Sequence, residues 1–188
     1  MYEDMNRKDV IIVYHKNREG VCHLMAQLIS GIHKEYSVGE WEEKHWDNNK
    51  ATLPASQKVI FIGEAGKTHA LGIKWRFNKF SMSYGWLSNR AVLDVKLLKI
   101  GDIKSFIKYA QQHAEEVDAL LKKMAAAGAA GLAMFAGLMI GITSLPVAIL
   151  IGGPIAGIVY LNKLKKYQYP VLVKEFVMGE GFTRFMEE

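Results

Sequence analysis

The 188-residue sequence predicts an α/β fold: a small Rossmann-like or flavodoxin-like cytoplasmic domain with an appended transmembrane helical hairpin. Three observations lead there. Short runs rich in β-branched residues alternate with amphipathic helical stretches over roughly the first 100 residues. A stretch of 38 consecutive residues, Met124 to Leu161, then carries no charge. A chain of this length holds one domain of ordinary size plus one module, not two separate cores.

The elements follow in order. Val10 to Tyr14 is a continuous apolar, β-branched run and reads as a strand buried on both faces. Val21, Leu24, Met25, Leu28, Ile29 and Ile32 then fall at helical spacing, completing the first half of a βαβ unit. Tyr36 to Trp41 is a candidate second strand, Lys58 to Gly63 a third and Arg90 to Val95 a fourth. Asp102 stands where a helix N-cap is expected, and an apolar stripe from Ile103 to Met124 predicts one helix running unbroken into the charge-free region. Tyr169 to Val177 reads as a strand adding to the sheet edge, with Pro170 at its start.

As one straight helix the charge-free segment would be about 57 Å long, nearly twice the roughly 30 Å of bilayer hydrocarbon, so it is expected to fold back. Pro146 supplies a break, and Gly152-Gly153-Pro154 an alternative kink. A buried hairpin in a soluble core would show a polar stripe, and this segment has none. Lys122 and Lys123 before it, and Lys163, Lys165 and Lys166 after it, put both ends on the cytoplasmic side. Gly137 and Gly141, and Gly153 and Gly157, have the GxxxG spacing of close helix contact, which suits either tight hairpin packing or self-assembly. The expected organisation is thus an α/β domain over 1–101, an amphipathic connecting helix over 102–123, the two-span hairpin over 124–161, and a basic collar with a C-terminal strand or tail over 162–188. The expected location is a bacterial inner membrane with both termini cytoplasmic, because the polar N-terminus offers no signal-peptide core.

The net charge of +5 favours acidic partners without choosing among lipid headgroups, phosphates and nucleic acid. Cys22 is the only cysteine, which excludes a disulfide framework, and the six histidines have no zinc spacing, so no metal is expected. Residues 65–104 carry eight Lys or Arg and two Asp, interleaved with Trp75, Phe77, Phe80, Tyr84 and Trp86. A membrane-facing surface, a solvated surface and a nucleic-acid surface all have that composition, nucleic acid being the least favoured partner.

Open α/β sheets bind ligands beyond the carboxyl ends of their strands, which directs attention to two loops. The first holds His15, Lys16, Asn17 and Arg18, and the second Gly63, Glu64, Gly66 and Lys67. Gly66-Lys67-Thr68 is not a Walker A loop, since Phe61 stands where the motif requires glycine. Together the loops read as a cradle for an anionic small molecule such as a nucleotide, with ordinary polar loops as the alternative. Glu64 could also be a catalytic carboxylate, with His15 or His69 across the loop, but a surface or structural role is the favoured alternative, no catalytic motif names a reaction, and an enzyme is not the expectation.

In layout, the Val10 to Tyr14 and Val59 to Gly63 strands, the charge-free hairpin and its flanking lysines resemble the two-transmembrane effectors of bacterial antiphage defence, of the retron- or cyclic-nucleotide-linked type. The resemblance covers the whole chain but rests on no diagnostic motif, so no functional residue is carried over. It implies a cytoplasmic domain that responds to a trigger, a sensor or regulator protein as partner, and hairpins that assemble as a homo-oligomer in the bilayer to disrupt it. A membrane-tethered scaffold, or a membrane-bound enzyme acting on a nucleotide or lipid headgroup, is the alternative.

Overall fold

The computed structural model describes residues 8–96, 100–125 and 164–188. A six-stranded mixed sheet organises them: β1 (Val10–Tyr14), β2 (Val38–Glu42), β3 (Lys58–Ile62), β4 (Lys74–Lys79), β5 (Met82–Leu87) and β6 (Arg90–Val95), in the order β2-β1-β3-β6-β5-β4. β1 runs parallel to both β2 and β3, and β3 parallel to β6, while β5 and β4 follow as antiparallel additions.

Alternation along the buried strands sends Val10 and Ile12, Ile60 and Ile62, and Ala91 and Leu93 into the larger of two apolar cores. Their neighbours Ile11, Val13, Val59, Phe61 and Val92 enter the smaller one. The larger core lies under α1 (Glu19–Ile32), α3 (Ile100–Gln112), α4 (Ala114–Ala125), a fifth helix α5 over 164–178, and α6 (Gly181–Glu187). The smaller is covered by the short α2 (Glu43–Asn49), through Trp46, and by the 3-10 stretch Gly63–His69, through Ala65.

The α/β expectation holds for the sheet and α1, but the appended hairpin does not. No helix among the described residues is long and apolar enough to cross a membrane, which leaves the transmembrane hairpin, and the inner-membrane location that rested on it, without support in this fold. Residues 126–163, including Gly137, Gly141, Gly153 and Gly157, lie outside the described residues. Met124, expected to end the connecting helical stripe and to open the first span, belongs to the last turn of α4, with its Cγ 3.2 Å from where a Cβ on Gly20 of α1 would stand. α4 is amphipathic: Val117, Leu120 and Leu121 are buried, while Asp118 and Lys122 pair along its outer face at 2.7 Å.

Three further expectations change. The connecting helix is two helices, α3 and α4, interrupted at His113, and Asp102 lies inside the first turn of α3 rather than at its N-cap. The basic, aromatic stretch after Lys74 contains two strands that its composition did not announce. The expected strand Tyr169 to Val177 is helical, part of α5. Pro170 leaves the Lys166 carbonyl without its helical donor, at a cost of about 3 kcal/mol, and three valines lower helix propensity by less than 1 kcal/mol each. Against that, α5 buries Leu164, Tyr167, Tyr169, Val171, Leu172, Val173, Phe176 and Val177, each contributing roughly 1.5–3 kcal/mol. Burial wins, and Tyr167 and Tyr169, read as part of a headgroup collar, become core, while Lys166 stays exposed.

The β4–β5 hairpin has the two-residue loop Phe80-Ser81, with φ of 55° and 59°. Such a loop normally calls for Asn-Gly. Here tertiary contacts hold it: Gln168 Nε2 donates to the Phe80 carbonyl at 2.8 Å, Ser81 Oγ donates to Asp102 Oδ2 at 2.6 Å, and the Lys96 amide donates to the Ser81 carbonyl at 2.9 Å.

Candidate functional site

β2 lies on one side of β1 and β3 on the other, so the chain reverses its direction of winding between β1 and β3. That switch point is where an open parallel sheet leaves a crevice at the carboxyl ends of its strands. The loops after β1 and β3 meet there, as the sequence suggests. His15 caps a 3-10 turn over Lys16–Arg18, its Nδ1 accepting from the Asn17 amide at 3.5 Å. The turn delivers Arg18 to the start of α1. Across the crevice, Gly63 takes a left-handed φ of 56° and turns the chain so that Glu64 faces Arg18.

The two side chains form a bidentate pair, with Arg18 Nη2 to Glu64 Oε1 at 3.0 Å and Nε to Oε2 at 3.2 Å. Arg18 is only 12% exposed, against 39% for Glu64, so the guanidinium is the more sequestered partner. Its Cζ also lies 4.5 Å from the ring centroid of Tyr169 on α5. Partial burial pushes the Glu64 carboxyl upward, but its backbone hydrogen bond, Arg18 and Lys165 outweigh it and hold the group below the usual carboxylate range. Burial drives the Tyr169 phenol well above its ordinary value; Asp94 adds to this, and Arg18 and a backbone hydrogen bond at Val95 oppose it. The crevice thus contains an ionised carboxylate, a guanidinium held by it, and a neutral phenol.

The remaining expected site residues divide. Lys16, Asn17 and Lys67 are exposed around the rim. Gly63 and Gly66 are required for packing: a Cβ on Gly63 would collide with the Tyr169 hydroxyl, and one on Gly66 would lie 2.7 Å from Val92 Cγ1. Neither leaves backbone open for the approach of a phosphate. Tyr169, Lys165 and Met124 were absent from the sequence-based site, because each lay in a segment read as strand, collar or span and no local pattern ties it to a loop more than a hundred residues earlier.

The catalytic arrangement proposed for Glu64 is not assembled with His69. That imidazole stacks on Phe61 at 3.9 Å between ring centroids, with Trp46 at 6.2 Å, all against the smaller core. Burial, Arg90 and Lys50 lower its pKa, and Asp47 opposes them. The basic, aromatic surface is also partly self-occupied. Lys96 lies over Trp75 at 4.3 Å and Arg76 over Trp86 at 4.7 Å, and Trp86 is 2% exposed, so its ring is not offered for stacking against a base.

The chain matches no protein-family model, and no curated protein or solved structure matches it significantly.

Proposed function

We propose that this domain is a trigger-responsive binding module whose ligand is an anionic small molecule of the nucleotide class, entering between the loops after β1 and β3. The Arg18–Glu64 pair, stacked on Tyr169, carries this reading. Two oxygens of a tetrahedral phosphate can accept the same paired guanidinium hydrogen bonds as the carboxylate they would displace, and Lys16 and Lys67 stand at the rim to receive the remaining charge. Displacing Glu64 from Arg18 alters the packing of Tyr169 on α5 and of the α4 terminus beside Gly20. Ligand binding is then linked to the seating of these two helices on the sheet, through contacts that differ between the free and bound domain. A triggered domain of this kind also fits the trigger-responsive part of the defence-effector role that the resemblance implies; its bilayer-disrupting part has no counterpart among the described residues.

A second reading has its own observation. Gly63 and Gly66 are filled by Tyr169 and Val92, as in a crevice closed for stability, and the domain is then a scaffold. Thermal-shift and calorimetric titration of the full chain with pyrophosphate and ADP separates the two. A ligand site predicts stabilisation by either probe, tighter binding by Glu64→Gln, which frees Arg18, and weaker binding by the rim variant Lys16→Gln/Lys67→Gln. No stabilisation of either the parent chain or Glu64→Gln selects the scaffold.

A further inference from the structure

The two outermost strands of the sheet carry opposite charge. β2 contributes Glu40 and Glu42, both exposed, and has no Lys or Arg. β4 contributes exposed Lys74, Arg76 and Lys79, and has no Asp or Glu. Among the described strands β2 pairs only with β1, and β4 only with β5, so each presents one unpaired row of backbone donors and acceptors. Such edges are templates for pairing unless charge or geometry forbids it.

Charge forbids some pairings and not others. Two β2 edges meeting about a twofold axis would bring Glu40 and Glu42 against their own copies, and two β4 edges would do the same with lysine and arginine. Only β2 against β4 joins opposite charges. Strand direction agrees. β4 is antiparallel to β5, which is antiparallel to β6, and β6 runs with β3, β1 and β2, so β4 and β2 point the same way. A second copy brought alongside with little more than a translation and the usual sheet twist would add its β2 to the first copy's β4 as a parallel neighbour.

We propose that copies of this chain associate head to tail, β4 of one with β2 of the next, extending one sheet across molecules. The contact is heterologous and does not close on itself, so it produces open chains of increasing length rather than a dimer. The register irregularity between Trp75 and Phe77 in β4 shortens the available ladder. Arg76 is partly engaged by Glu188 at 3.3 Å and Glu40 by His23 at 3.2 Å. The association is therefore weak, reversible and salt-sensitive.

Sedimentation velocity of the full chain at rising concentration and low ionic strength tests this. The mean mass should grow without a plateau at dimer, and fall when salt shortens the screening length. Lys74→Glu/Lys79→Glu and, separately, Glu40→Lys/Glu42→Lys should each weaken association about tenfold, and mixing the two variants, or combining all four changes in one chain, should restore it. Glu42→Lys alone guards against a folding defect from losing the His23 contact, and a cooperative melt checks each variant. Association that survives both single-edge reversals, stops at a dimer, or is not restored by the four-fold exchange overturns the proposal, as does a chain monomeric at every concentration.

Discussion

The hydroxyl of Tyr169 occupies the space that a side chain on Gly63 would need, so a helix from the end of the sequence is keyed into the switch point of the sheet. Gly63 has a left-handed φ of 56° and no room for a Cβ. Gly63→Ala is expected to destabilise the domain by about 1–3 kcal/mol, from backbone strain and overpacking together. Denaturant midpoints measure it. Adding Tyr169→Phe, which removes the colliding oxygen, should recover part of the loss, and additive effects would place the strain in the backbone alone.

The Arg18–Glu64 pair should show a coupling energy of about 1–2 kcal/mol in a double-mutant cycle with Arg18→Met and Glu64→Gln, more than an exposed pair because the guanidinium is sequestered. The folded carboxyl titrates below its unfolded value, so the stabilisation is present above the ordinary glutamate pKa. It is lost as pH falls through the depressed folded value. Urea melts from neutral to acid pH should therefore show a shallower acid limb for Glu64→Gln than for the parent chain.

His69 predicts pH dependence in a different window. Its folded pKa is lowered, so the unfolded chain binds more protons and stability declines as pH drops below about 6.5. His69→Phe keeps a ring against Phe61 and removes the titration. The slope of stability between pH 7 and the acid limb, about 6 to 5, should flatten in that variant, and an unchanged slope would locate the titration elsewhere.

Gln168 stabilises a turn eighty-eight residues away in sequence, and it is fully buried. Gln168→Leu should cost about 1–2 kcal/mol by removing the donor to the Phe80 carbonyl. Hydrogen exchange should quicken first in β4 and β5, and uniform acceleration across the sheet would show that the turn is not a local weak point.

Several elements are legible from local pattern because their signals are self-contained. β1, β3 and β6 are apolar, β-branched runs buried on both faces, α1 has an unbroken helical stripe, and parallel strands place the loops holding Arg18 and Glu64 at one end of the sheet. β4 and β5 were hidden. Their turn has no Asn-Gly, and their basic and aromatic residues resemble a surface until cation–π contacts and cross-strand partners give them a place.

By itself the sequence determined the α/β class, the principal parallel strands and the two loops that meet at the crevice, since these depend on periods of two and 3.6 residues and on chain direction. Only the tertiary structure decided what fills that crevice and which conformation residues 164–178 adopt. Pro170 and the valines favour an extended chain locally by a few kcal/mol, whereas the eight apolar side chains of α5 together gain more than that by burial against partners distant in sequence. Local propensity can be read along the chain. The energy of burial depends on neighbours that exist only once the chain has folded.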